Sequence, residues 1–244
     1  MSDEDRSHSL RKAIALPLLT SAEARILARL PTVPPKGRSR RPPILKPNES
    51  YTFRSYFLMK FAPADILREL GATLIRAAIE LPVASSVQLT RLPDLRQRLE
   101  DGIARVSLTS EAARREVLIA PILLEVAKIA EATVNIEYPI EVNQYLRGDL
   151  DYYLQSQHNV LVVEAKQADI TRGFTQLAAE LIALDSWVES DEPILYGAVT
   201  TGDIWQFGSF HRQNRLVTQD LMLYRVPTDL EVLMQILAGI LIQA

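Results

Sequence analysis

The stretch Val160-Leu-Val-Val163 followed by Glu164-Ala-Lys166 constrains the fold more than any other part of the chain. Four consecutive apolar residues rich in valine, bounded by turn-forming residues, read as a buried strand. The carboxylate of Glu164 ends that strand, where an unpaired acid is rarely buried. Strand period two places Glu164 and Lys166 on one face and Ala165 on the other. A second strand precedes it at residues 150–156, and Ser156-Gln-His-Asn159 makes the turn between them. If the two strands form a hairpin, Asp151 stands across from Glu164.

The flanking sequence supplies the rest of a sheet. Val134, Ile136, Tyr138, Ile140 and Val142 alternate with Asn135, Glu137, Pro139 and Glu141, the pattern of a half-buried strand with Pro139 at an edge or bulge. Ser110 can cap a long helix from Glu111 to about Ala130, in which Pro121 predicts a kink or a restart. Residues 173–188 read as a helix, Ile194–Thr200 as a buried strand, and Ile204–Phe207 as its partner across Thr201-Gly202-Asp203. Residues 216–224 suggest a further strand, and Thr228-Asp-Leu-Glu231 is a capping box opening a final apolar helix. That helix is expected either to cap the core or to serve as a homodimer face. Residues 73–81 and 86–92 fit strand and helix equally. The order helix, three strands, helix, two or three strands, helix predicts an α/β protein with a mixed sheet flanked by helices.

Upstream, residues 31–47 hold Pro31, Pro34, Pro35, Pro42, Pro43 and Pro47 with five basic residues, which reads as an extended linker. A short helix capped by Thr20 or Ser21 precedes it. The expected division is residues 1–50 as a helical segment and basic arm, 51–107 as an extension packing on the core, and 108–244 as the core. Within the extension, residues 63–70 form a short helix that ends at Gly71.

Charge is unevenly distributed along these parts. The net charge is only −3, yet residues 25–54 carry eight Lys and Arg against Glu49, a local +7. Residues 148–203 carry ten acids against Lys166 and Arg172, a local −8. The chain has no cysteine, which excludes a disulfide framework and a thiolate zinc site. Its three histidines, His8, His158 and His211, are too scattered to suggest a zinc cluster. No apolar run reaches the roughly eighteen residues of a membrane span, and no signal-peptide pattern opens the chain, so a cytoplasmic protein with no membrane partner is expected. Any metal must then be held by carboxylates.

Two carboxylates at one point of a sheet repel each other, so a buried pair needs a cation or a shared proton. Oxygen ligands without sulfur or nitrogen suit Mg²⁺ or Mn²⁺, and a lysine beside such an ion can orient or deprotonate a water. Asp149 competes with Asp151 for the first position, since alternation places both on one face.

With these residues in place, the chain resembles the PD-(D/E)XK nuclease superfamily, which has the restriction-endonuclease-like fold. The resemblance spans roughly residues 108–212. It rests on Gly148-x-x-Asp151-Tyr, the apolar strand into Glu164-Ala-Lys166, and a following helix presenting Gln176. Tyr196-Gly-Ala-Val-Thr-Thr-Gly-Asp-Ile-Trp205-Gln-Phe is similar to the strand pair after the core in nuclease domains of type I restriction subunits. The helix containing Glu111 and Glu116 looks like their first core helix. Leu150 stands where the family pattern has a proline. The resemblance implies that Asp151 and Glu164 ligate Mg²⁺ or Mn²⁺, that the Ala165 carbonyl adds a ligand, and that Lys166 serves the attacking water. It implies Gln176 as an auxiliary residue, Glu111 or Glu116 as a further acid, and nucleic acid, with DNA favoured, as substrate. A catalytically inactive module binding nucleic acid or a protein is the alternative. The plainer reading of Asp151 and Glu164 is two strand-end carboxylates in solvent, and of Tyr152 and Tyr153, packing residues rather than base-stacking ones.

Overall fold

A computed structural model describes residues 42–157, 159–166, 168–190 and 192–242. The expected N-terminal helix and most of the basic, proline-rich arm lie outside the described residues.

Two helices come first, α1 (Phe53–Leu58) and α2 (Pro63–Glu69), and the chain reverses at Gly71 into strand β1 (Thr73–Ala77). Helix α3 (Leu92–Arg105) follows. Next, α4 (Glu111–Arg114) passes through a π-helical turn at Arg115–Ile119 into α5 (Ala120–Ile129). Strands β2 (Thr133–Asn143), β3 (Leu146–Gln155) and β4 (Val160–Ala165) lead to the long helix α6 (Ile170–Trp187). After it come β5 (Ile194–Thr200), β6 (Ile204–His211), β7 (Leu216–Asp220), the short β8 (Tyr224–Arg225) and α7 (Leu230–Ile242).

The strands form one mixed sheet in the order β1-β7-β6-β5-β4-β3-β2, with β8 pairing β6. The pairs β4–β5 and β1–β7 are parallel and the others antiparallel. The predicted mixed α/β sheet flanked by helices is therefore the observed architecture. Residues 73–77, open between strand and helix in the sequence, are an edge strand, so the stretch 51–107 contributes to the sheet itself. Residues 44 and 45 are tied down as well, because their backbone N–H groups donate to the Glu69 carboxylate at 2.8 and 2.7 Å.

Each face of the sheet carries its own core. On one side α1, α2 and α6 cover Val160, Val162, Leu195, Val199, Phe210 and Val217. On the other, α3, α5 and α7 cover Leu161, Val163, Ala198, Trp205 and Phe207. The apolar face of α7, Leu230, Leu233, Ile236, Leu237, Ile240 and Leu241, is buried in this second core. It caps the sheet and is not a free dimer face. Tyr152 and Tyr153 are buried on opposite sides and pack. No described helix is long and apolar enough to cross a membrane.

Three local departures from the predicted elements have physical causes. The helix expected at 111–130 is interrupted just before Pro121: proline cannot donate to the helical ladder, and the turn ahead of it widens to π geometry. Helix α3 was not evident in the sequence, because Pro93, Gly102 and many charges dilute the spacing of Leu92, Leu95 and Leu99. The alternation expected from Val134 to Val142 switches face midway. Glu137 has φ of +52°, so Tyr138 and Ile140 join the first core while Val134 joins the second, and Ile136 is left 58% exposed.

Helix α6 lies close on the sheet because two glycines face each other beneath it. Gly197 and Gly208 are cross-strand partners on β5 and β6. A Cβ at Gly208 would fall 2.7 and 2.8 Å from ring atoms of Phe174, and one at Gly197 would fall 2.7 Å from Leu177. Gly208→Ala is therefore expected to lower stability by about 1–3 kcal/mol through overpacking, read as a shift of the urea midpoint with unchanged slope. Adding Phe174→Leu should recover part of the loss, and simple additivity of the two changes would refute the steric account.

Candidate active site

The β3–β4 pairing runs as far as Tyr152 opposite Val163. One step further Asp151 and Glu164 stand level, and there the two strands fork. Strand β4 stays with β5, where Glu164 pairs with Val199 and Ala165 with Thr200. With β3 gone, the Ala165 N–H donates to Asp151 Oδ2 at 2.8 Å. Lys166 N–H in turn donates to the Thr200 carbonyl at 2.8 Å. The fork lies level with Glu137, the residue at which the β2–β3 ribbon changes face. Gly148, with φ of +137°, lets the outer ribbon close on α1: a Cβ there would stand 3.0 Å from Phe53.

Alternation along β4 turns Glu164 toward α6, and its side chain is completely buried. Directly above is Glu180, equally buried, whose Oε1 accepts from Gln176 Nε2 at 3.0 Å. The Lys166 ammonium forms an ion pair with Glu164 and lies 5.3 Å from the centre of the Phe57 ring. On the open side of the fork, Asp151 Oδ1 is 3.7 Å from Arg115, whose guanidinium sits 5.1 Å over the Tyr152 ring and also reaches Glu137 at 3.4 Å. Within this group Glu164 Oε2, Glu180 Oε2 and Gln176 Oε1 are buried without a hydrogen-bond partner among the described residues.

The electrostatics follow from this crowding. Burial, then the charges of Glu180 and Asp151, hold the Glu164 carboxyl well above the usual carboxylate range, against the opposing pull of Lys166. Burial also pushes Glu180 up to about 7, with hydrogen bonding from its neighbours restraining the rise. Burial alone would lower Lys166, but Glu164 and Asp151 outweigh it and its pKa is raised. Lys166 is thus a cation here, and the proton is held by the carboxyl pair.

The structure brings Asp151, Glu164 and Lys166 together as the spacing suggested, with Ala165 between them, and Gln176, which the resemblance implied, reaches the group through Glu180. Asp149 is exposed on β3 and takes no part. Glu111 lies in the first turn of α4 and Glu116 is exposed in the π turn. Neither shares a hydrogen bond or ion pair with Asp151, Glu164 or Lys166 among the described residues. Two members of the site escaped the sequence reading. Glu180 is the only charged residue in the apolar run 177–184 and stands one helical turn after Gln176, a signal that was there to be read. Arg115 gave none, since only the π turn aims it at Asp151.

Among the described residues no group of three or more His, Cys, Asp or Glu is already assembled to hold a metal, and His8 and His158 lie outside them. The donor chemistry nonetheless suits a hard divalent cation. Glu164 and Glu180 each present a buried carboxylate oxygen without a partner, and Asp151 stands beside them. No protein-family model and no curated protein matches this chain.

The raised carboxyl pKa values set a pH dependence. An unfolded Glu180 loses its proton near 4.5, whereas the folded one keeps it to about 7. Across that window the unfolded state binds fewer protons, so stability falls as pH rises and levels off above it. Glu180→Gln should remove part of this slope, gaining on the wild type by an amount of order 1–3 kcal/mol at pH 8 relative to pH 5. Parallel pH profiles of the two melting temperatures would show that Glu180 is not held protonated.

Proposed function

We propose that this chain is a cytoplasmic, divalent-metal-dependent nuclease that hydrolyses phosphodiester bonds of nucleic acid, with DNA the favoured substrate. One observation carries the reading: a completely buried glutamate with an orphaned oxygen, paired with Lys166, flanked by Asp151 and facing a second buried glutamate. A structural ion pair needs one acid for one base. Here three acids meet one lysine and one arginine, and two of the acids are fully buried.

In this reading Asp151, Glu164 and Glu180 hold Mg²⁺ or Mn²⁺, with the Ala165 carbonyl as a further oxygen. The ion would lower the pKa of a bound water and neutralise charge on the phosphate. Lys166, being cationic, orients the water and donates hydrogen bonds to the anionic phosphoryl oxygens as charge builds on them. Gln176 holds Glu180 in place through its amide and keeps its Oε2 turned toward the site. Arg115 fixes Asp151 from outside the fork, and the buried aliphatic walls keep bulk water from the carboxyl pair.

A second reading is a restriction-endonuclease-like module that binds nucleic acid or a protein without cleaving. The internal neutralisation favours it: Lys166 already engages Glu164, and Arg115 already faces Asp151.

Two measurements separate these. Linear DNA and RNA incubated with Mg²⁺ or Mn²⁺ should be cleaved by the wild type, and Asp151→Ala and Lys166→Ala should each reduce the rate at least about a hundredfold. Equal activity in all three would remove the site from the chemistry. Independently of activity, millimolar Mg²⁺ at pH 8 should raise the wild-type melting temperature by a few degrees, and Glu164→Gln with Glu180→Gln should abolish the shift. Absence of both cleavage and shift would leave the binding module.

A further inference from the structure

Beside Lys166 the surface opens into a cleft of about 330 Å³. One wall is the end of α1 and the segment after it, with Tyr56, Lys60 and Phe61; the other is the first turns of α6, with Thr171, Arg172 and Thr175. The helices that form both walls also flank Lys166. Phe57 of α1 stacks against its ammonium, and Gly173 of α6 lies so close to its stem that a Cβ there would be 3.0 Å from Lys166 Cγ. The cleft therefore adjoins the two helices that flank Lys166.

Its chemistry is opposite to that of the site. The site presents buried carboxyl groups whose charges are largely met by Lys166 and Arg115. The cleft presents Lys60 and Arg172 at its surface, and Arg54 is exposed on the same helix as Phe57. Arg172 is only loosely engaged, 3.2 Å from Asp169 with half its side chain in water. Between the two basic groups Phe61 is 57% exposed, and the neighbouring Leu58 is 61% exposed. An exposed ring next to cations, without an apolar pocket to fill, is a stacking surface for a base rather than part of a core. A base can occupy it only when it is not already stacked within a duplex.

We propose that this cleft binds single-stranded nucleic acid, stacking a base on Phe61 and holding the backbone through Lys60 and Arg172, and so delivers a single strand to the site. The proposal rests on the nuclease reading for its purpose but not for its test. The full chain is titrated, without metal and in EDTA, into fluorescein-labelled oligo(dT) and oligo(U) of about fifteen nucleotides, a length that spans a typical single-strand site. A duplex of oligo(dT) with oligo(dA) is the comparison, and fluorescence anisotropy is the readout.

Single strands should bind more tightly than the duplex. Phe61→Ala should weaken single-strand binding about tenfold, the loss of one stacked base. Lys60→Glu with Arg172→Glu should weaken it further and flatten its dependence on salt, because two phosphate contacts are gone. These side chains are exposed, so unchanged circular dichroism and melting temperature are expected of the variants. A preference between oligo(dT) and oligo(U) would support the proposal and name the nucleic acid. Failure of the wild type to bind either strand would overturn it, as would variants that bind like the wild type, or a duplex preference that survives Phe61→Ala. Strand binding through the cleft without Mg²⁺-dependent cleavage would leave this proposal standing while the nuclease reading fell. Cleavage with the cleft variants binding normally would do the reverse.

Discussion

A carboxylate in the middle of a sheet, under a helix, is the constraint around which this protein is arranged. Burying an ionised carboxylate costs several kcal/mol even after relaxation, and Glu164 is buried without the hydrogen bonds that would compensate it. Lys166 supplies one positive charge. Arg115 faces Asp151 from outside, but Glu180 adds a second buried carboxyl that the lysine cannot also balance. A protonated carboxyl or an added cation restores the balance, and the choice between them varies with pH. The raised pKa values of Glu164 and Glu180 express the first solution.

Several irregular features of the fold meet at this point. Opposed glycines on β5 and β6 lower α6 onto the sheet, which brings Glu180 and Gln176 over β4. The left-handed conformation of Glu137 turns the outer hairpin over the first core, opening the fork that Asp151 closes with its side chain. The π turn aims Arg115 at Asp151 from the other side. Regular alternation and helical spacing bring Glu164 beside Lys166 and Gln176 beside Glu180, and the irregular features bring Asp151 and Arg115 to them. Strained residues and π turns persist where the surroundings over-determine them, and here they surround one carboxylate.

How much of this was legible in the sequence depended on the range of the interaction. Strand β4, its period-two placement of Glu164 and Lys166, and its level partner Asp151 are local features of a hairpin, and they read directly. Gln176 could be placed on a helix, but its partner Glu180 passed unnoticed because an acid in an apolar helix is ambiguous until the sheet beneath it is known. The parallel β1–β7 pair joins residues more than a hundred positions apart, and no local pattern in residues 73–77 distinguishes that strand from a helix. The face change at Glu137 was invisible because its cause is a backbone torsion, while the side-chain alternation on either side of it is perfectly regular.

The charge state of Lys166 decides how the site can work. A lysine that is to accept a proton from water must be poised near neutral pH, which requires its ammonium to be destabilised. Burial pushes in that direction, but the surrounding carboxylates push harder, and the ammonium is stabilised instead. A base role for Lys166 would therefore need the negative charge around it to be removed first. With those carboxyls in place the ammonium persists, and its chemistry is that of a hydrogen-bond donor and counter-ion. The carboxyl groups that crowd the fork thus set the role of its lysine, by holding it as an ammonium.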